Sequence, residues 1–314
     1  MRDEQVLCVG ESLIDVVRRG DQVSEHVGGS PLNVAVGLAR LGASVTLASW
    51  WGRDAHGERI AQACAAAGVA VEPGSDGAGH TSVAQAELDD EGRATYTFDF
   101  AFSVPPIDDE ASVRHVHTGS IACTAEAGGS QVVDLVERAR AHATVSYDPN
   151  TRSSIMGSPG AVLDRIEALI GASDVVKASD EDIAWLYSDA PLTTVMRGWL
   201  DLGVRLVVVT RGPEGALAWL AGEDAPHDVE RRRVDLADTV GAGDSFMAGL
   251  ISGLLAAGLL GGADARGRLD TASWAEIEPA LRRAVLTSAT TVSHAGAYAP
   301  TLAEIAELDD ADQA

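Results

Sequence analysis

The chain has 314 residues and a formal net charge of −24 at pH 7, so it lacks the basic footprint on which nucleic-acid binding depends. Hydrophobic residues make up 46% of it, enough for one large core, but no apolar run approaches the roughly 20 residues of a membrane span. Three cysteines, Cys8, Cys64 and Cys123, lie far apart in apolar segments with no metal-type spacing, which implies free thiols and a reducing, cytoplasmic setting.

Strand and helix signals alternate along the chain, the pattern of a doubly wound α/β fold whose mostly parallel sheet is covered on both faces. The first residues, Met1 to Gln5, are charged and carry no signal-peptide pattern. A buried strand is expected over 5–10, followed by strand-like residues over 12–27 that break the rhythm. Gly28-Gly29 then serves as a hinge. Ser30-Pro31 opens a helix to residue 41, with Ser30 as N-cap and Pro31 at the first helical position. Asn33, in its first turn, suits either capping or a polar contact to a ligand. A strand over 44–50 and a helix over 56–67, closed by Gly68, come next. Residues 81–102 form the second irregular segment, with a strand over 82–88, a turn over 89–92 and a strand over 94–100. Segments 12–28 and 81–102 are together expected to make a small β-sheet lid over a cleft, inserted in a single domain of residues 1–314. An exposed lid edge pairs readily with its twin, which predicts a homodimer through the lid.

Further strands are expected over 113–118, 144–148, 174–177 and 205–210, and helices over 131–142, 161–170, 181–187, 193–202, 245–257 and 276–294. Arg231-Arg232-Arg233 sits in a strand-like stretch and reads as a solvated sheet edge. Residues 258–268, rich in Gly and Ala, read as a mobile loop.

The most informative stretch is Asp238-Thr239-Val240-Gly241-Ala242-Gly243-Asp244, which leads into the helix from 245. A glycine-rich entry leaves backbone N–H groups unpaired at the positive end of a helix dipole, and that is an anion site. A carboxylate there would repel a resting phosphate. It makes sense if Asp244 takes a proton from a hydroxyl attacking a phosphoryl group in transit; the plain alternative is a capped helix after a glycine turn. Neighbouring amides would lower the pKa of Asp244, and burial beneath the lid would raise it. Lys177 is the only lysine and is followed by Ala178, so no P-loop exists. Amides, arginines and a magnesium ion are then left to hold the phosphates of ATP.

Gly28-Gly29-Ser30-Pro31-Leu32-Asn33-Val34-Ala35 and its continuation to Gly42, taken with the stretch around Asp244, resembles the two signature segments of the ribokinase-like (PfkB) sugar kinase family, in the family's order. The wording is closest to fructokinases in Gly10-Glu11-Ser12-Leu13-Ile14-Asp15, Asp148-Pro149-Asn150-Thr151-Arg152, Lys177-Ala178-Ser179-Asp180-Glu181-Asp182 and Thr210-Arg211-Gly212. The resemblance implies transfer of the ATP γ-phosphoryl group to a primary hydroxyl of a sugar, fructose first. A 2-keto-3-deoxygluconate kinase, or a ribokinase or nucleoside kinase, is the alternative. It implies Asp244 as base, Gly241, Ala242 and Gly243 as anion hole, and Asp15, Gly29 and Asn33 as sugar-side residues. Arg152 fits a phosphate contact, a substrate carboxylate or a surface salt bridge. Thr210, Arg211 and Gly212 border the nucleotide together with His294, which equally suits a cap on its own helix.

Magnesium is expected to travel with the nucleotide, Asp182 reaching a metal-bound water where the family commonly has glutamate. The resemblance also implies a potassium-like ion beneath the anion loop, near Asp238 and Gly296. The flap wording at 96–102 departs from typical fructokinases, which leaves the substrate open. A sugar phosphate is disfavoured because only Arg18, Arg19 and Arg93 lie near the flap. A dinucleotide oxidoreductase would need Gly-x-Gly-x-x-Gly after the first strand, and here Gly10 is followed by Glu-Ser-Leu. A non-catalytic sugar sensor of the same fold would not need the intact Asp244 and glycine turn.

Overall fold

The computed structural model describes residues 5–20, 22–88, 94–188 and 190–310. Met1 to Glu4, the expected turn over 89–92, and Arg93 lie outside the described residues. In chain order the elements are β1 Gln5–Val9, β2 Leu13–Arg19, β3 Gln22–Gly28, α1 Ser30–Arg40, β4 Ser44–Ala48, α2 Ala55–Ala67, β5 Ala70–Val71, β6 Val83–Leu88 and β7 Ala94–Asp99. Then follow β8 Val113–Gly119, α3 Gly128–Ala139, β9 Thr144–Asp148, α4 Ser153–Met156, α5 Pro159–Gly171, β10 Val175–Ser179, α6 Asp180–Tyr187, α7 Leu192–Asp201 and β11 Leu206–Thr210. The last are β12 Ala216–Leu220, β13 His227–Val229, α8 Ala242–Ala256, α9 Ala263–Leu269, α10 Trp274–Val292 and α11 Leu302–Asp310.

A nine-stranded sheet runs β13-β12-β11-β10-β9-β8-β1-β4-β5. It is parallel from β11 to β5, while β12 and β13 are antiparallel additions at one edge. One face packs on α1, α8 and α10, the other on α3, α5, α6 and α7. Strands buried on both faces carry near-continuous apolar runs such as Leu206–Thr210. Helix α8 is buried all round from Ser245 to Leu254, as its lack of a polar face requires.

The two irregular segments form a separate four-stranded sheet, β3-β2-β6-β7. Asp54 anchors its base. It caps α2 by accepting from the Gly57 amide at 2.9 Å, and it accepts from the Thr81 amide at 2.8 Å and hydroxyl at 2.7 Å.

Three expectations are corrected. Ser30 is the first helical residue and Gly29 occupies the cap position, with no side-chain cap. Residues 258–268 are not an unstructured loop: α9 begins at Ala263, and Arg266 donates to Asp174 at 2.8 Å and to the Arg140 carbonyl at 2.5 Å. Arg231-Arg232-Arg233 lies beyond β13 in irregular backbone, so it is no strand edge.

Candidate active site

β1 and β8 are neighbours inside the sheet, and the chain goes from β1 to β4 and from β8 to β9, toward opposite edges. The boundary between β1 and β8 is therefore a topological switch point, where open α/β sheets hold ligands beyond the strands' carboxyl ends. Asp15, Ser120, Asp148 and Ser179 follow or close those strand ends, and α1 and α8 present their N-termini to the same side.

Gly241 enters α8 at φ 75°, and a Cβ there would stand 2.7 Å from that of Ala297. Only glycine serves. The Ser245 amide makes the first helical rung to the Gly241 carbonyl at 2.8 Å, which leaves the Gly243 and Asp244 amides without an intrahelical acceptor. The Ala242 amide differs from expectation: it donates to the Thr239 carbonyl at 3.2 Å and closes the turn.

Asp244 lies one residue further into the same turn. Its Oδ1 accepts from Ser30 Oγ at 2.6 Å and its Oδ2 from Asn33 Nδ2 at 2.8 Å. The packing of α1 on α8 makes this meeting possible. Asn33, expected on the sugar, is thus bonded to the carboxylate that would receive the sugar's proton. The cap reading missed this contact of Ser30.

Lys177 is the larger omission. It is 4% exposed, with Nζ 2.7 Å from Asp148 Oδ2, and a Cβ on Gly243 would come within 3.1 Å of that nitrogen. Burial works against its charge, but Asp148, Asp182 and Asp244 outweigh it and hold its pKa above the ordinary value. Burial pushes Asp148 up to about 6 against the pull of Lys177. A lone lysine in an apolar strand of so acidic a chain was the available signal.

Asp182 is buried and commits both oxygens to protein. Oδ1 accepts from the Thr151 amide at 2.7 Å and hydroxyl at 2.8 Å, and Oδ2 accepts from the Ser179 amide at 2.8 Å within a capping box on α6.

Beside the anion turn opens a cavity of about 410 Å³, lined by Thr210, Gly212, Ala242, Gly243, Phe246 and Val292 among others, a size typical of small-molecule sites. Arg231 and Arg232 border it, so the arginine run sits beside the cavity. Arg211 and His294 are absent from the lining. Arg211 is held by Asp228 at 2.9 Å; His294 stacks on Tyr298, and its Nδ1 lies 2.8 Å from the Thr290 carbonyl of its own helix.

Asp15 lies on β2 of the lid, its carboxylate over Gly28. Desolvation raises its pKa, countered by His26 and Arg152. Arg152 is exposed and donates to Asn150 Oδ1 at 2.7 Å and to the Thr151 carbonyl at 2.9 Å. Asp238 joins the turns on either side of α8 and α10, accepting from the Val240 amide at 3.1 Å and the Gly296 amide at 2.8 Å.

A fructokinase of Rhizobium leguminosarum bv. trifolii is 31% identical over 263 residues, covering 79% of this chain and 79% of that protein. A Vibrio cholerae fructokinase solved with fructose, ADP and calcium ion superposes with a TM-score of 0.77 at 25% identity, over 98% of this chain and 99% of that one. A Xylella fastidiosa fructokinase with bound ATP gives a TM-score of 0.84 at 24% identity, over 99% of this chain and 100% of that one. The sequence profile of the pfkB family carbohydrate kinases matches residues 3–304. With nearly its whole length matched, the chain belongs to the PfkB family of carbohydrate kinases, as an ATP-dependent sugar kinase of ribokinase-like fold.

Proposed function

We propose that this kinase phosphorylates a primary hydroxyl of fructose, with Asp244 as the base. The observation that carries the reading is the Asp244 carboxylate, oriented by Ser30 and Asn33 at the mouth of α8 between the lid and the cavity. Asp244 accepts the hydroxyl proton as the sugar oxygen bonds to the γ-phosphorus; the bond to the bridging oxygen breaks, and ADP leaves with the electron pair. The Gly243 and Asp244 amides and the Lys177 ammonium meet the charge that builds on the equatorial oxygens. Asp15 and Gly29 hold sugar hydroxyls, and Asn33 can exchange its bond to Asp244 for one to the sugar. Thr210 and Gly212 border the nucleotide.

Among the described residues no three His, Cys, Asp or Glu side chains group to hold a metal, which suits a magnesium ion carried by the phosphates. Such an ion would supply charge neutralisation of the triphosphate; Asp182, expected to reach its waters, has both oxygens taken by Thr151 and Ser179 and would act on it only through its charge. The Asp238–Gly296 clasp is our candidate for a potassium-like ion. The lid edge β3, where Val23 is 48% exposed, supports pairing of two lids, and three buried free cysteines suit a cytoplasmic enzyme.

Arg152 at the cleft, acting on Asp15, supports 2-keto-3-deoxygluconate as the second candidate acceptor. ADP release measured over a panel of sugars separates the two. Asp244→Asn should lower kcat by about 10²–10⁴-fold while ATP still binds; more than a tenth of the activity remaining would remove Asp244 as base.

A further inference from the structure

Glu11 has no part in the chemistry above, yet its carboxylate is 2% exposed just past the end of β1. It accepts from the Ala122 amide at 3.0 Å. The Ser120 hydroxyl and the amides of Ser30 and of Glu11 itself face it closely enough to draw its pKa down against burial. Three chain segments therefore meet on one side chain: the end of β1, the turn after β8, and the first residue of α1.

This meeting point is strained. Ser120 sits at φ 60°, and Gly29 at φ 119° passes so close that a Cβ would lie 2.4 Å from the Glu11 carbonyl oxygen. Such backbone persists only when its surroundings over-determine it. The Glu11 carboxyl, bonded to the Ala122 amide and packed against the donors at the start of α1, supplies that restraint. From Ser30 the chain of contacts continues, because Ser30 Oγ donates to Asp244 Oδ1 at 2.6 Å.

We propose that Glu11 is a positioning residue for phosphoryl transfer: it fixes the backbone of Ser30, and the Ser30 hydroxyl then sets the orientation of Asp244. The inference rests on Asp244 being the base. A misplacement of about 1 Å can cost on the order of 10²-fold in rate, so a shift of Ser30 is felt at the reacting oxygen. Glutamine at position 11 keeps the shape but turns one acceptor into a donor facing the amides.

The test is a double-mutant cycle on the full chain, with ATP and fructose, or the best acceptor from the sugar panel. Glu11→Gln should lower kcat by roughly tenfold to a hundredfold and leave KM for ATP unchanged. Ser30→Ala should lower kcat as well, and the double variant should be no slower than Ser30→Ala alone, because both changes cut one chain of contacts. Independent, multiplying effects would overturn the proposal, as would a Glu11→Gln loss seen in KM for ATP rather than kcat. If Glu11→Gln does not fold, Glu11→Asp takes its place in the cycle, keeping the charge but drawing it back from Ser30. Asp244→Asn distinguishes the failures: an active Asp244→Asn overturns base and positioning role together, whereas an inactive one beside a normal Glu11→Gln overturns the positioning role alone.

Discussion

Replacing Lys177 by methionine removes the cation beneath the anion turn and strands Asp148, whose side chain is 1% exposed. Breaking a buried ion pair from one side costs about 3–5 kcal/mol, since the remaining charge has neither water nor a counter-ion. Asp182 and Asp244 already raise the pKa of Asp148, so without the lysine all three carboxylates repel. Replacing both partners, in Lys177→Met with Asp148→Asn, removes the stranded charge and should return stability to within about 1 kcal/mol of the parent. Turnover should not return with it, because no cation meets the transferring phosphoryl group; a loss of about 10²–10³-fold in kcat is expected, as for a missing oxyanion donor. Urea unfolding followed by the fluorescence of the six tryptophans reads the first quantity, and ADP release reads the second. The reasoning fails if Lys177→Met loses less than about 1 kcal/mol, or if the double variant recovers stability and turnover together. The penalty should also narrow as pH falls toward about 6 and level off below it, because Asp148 without Lys177 takes its proton above the value of about 6 that it has in the pair.

Gly253→Ala should destabilise by about 1–2 kcal/mol despite a better helix propensity, because the added Cβ would stand 2.5 Å from the Ala280 backbone and α8 and α10 must part; calorimetry showing an unchanged or higher Tm would contradict that close approach. Burial raises the Glu11 carboxyl from an ordinary 4.5 to about 7, so between those values the folded chain binds a proton that the unfolded chain releases. Its contribution to stability is therefore fully present below pH 4.5 and lost as pH rises through 7. Relative to Glu11→Gln, which does not titrate, the parent should lose about 3 kcal/mol between pH 4 and pH 8. Asp148 titrates in both and cancels, and the Cys123 thiol nearby is pushed above its ordinary range by burial. Parallel stability curves for the two proteins would refute it.

Alternation of apolar runs with amphipathic helices made the parallel sheet legible, and two glycine-bearing motifs pointed to the candidate site, because each demands a particular backbone. The antiparallel edge β12 and β13 was not expected, since Ala216–Leu220 is short and its burial comes from the neighbouring β11. Helix α9 was hidden by Gly261 and Gly262 before it and Gly267 within it; Arg266, reaching three backbone and side-chain acceptors across the fold, is what fixes it. At the site, positions were readable but partners were not. Ser30 and Asn33 stand together in one helical turn, yet nothing local tells that both point at a residue from α8. Arg211 was expected to border the nucleotide, but Asp228, from a strand not foreseen, takes its guanidinium.

The same limit explains the acidic cluster around Lys177. Taken singly, Asp148, Asp182 and Asp244 look hostile to a triphosphate, and in a chain of net charge −24 they deepen a field that already opposes anions. Their effect on Lys177 runs the other way. An ammonium this buried would ordinarily give up its proton, since desolvation penalises the charged form. The three carboxylates reverse that and hold the lysine's pKa above its ordinary value. Asp148 supplies the direct contact at 2.7 Å, while Asp182, both oxygens spent on Thr151 and Ser179, acts from a fixed distance. Among the described residues Asp244 is held by two side chains of α1, which makes it the member of the three that suits the base we propose. With Asp244 as the proposed base, its negative charge would vanish beside Lys177 as charge builds on the phosphoryl oxygens, and the ammonium's field would pass from the base to the group in transfer.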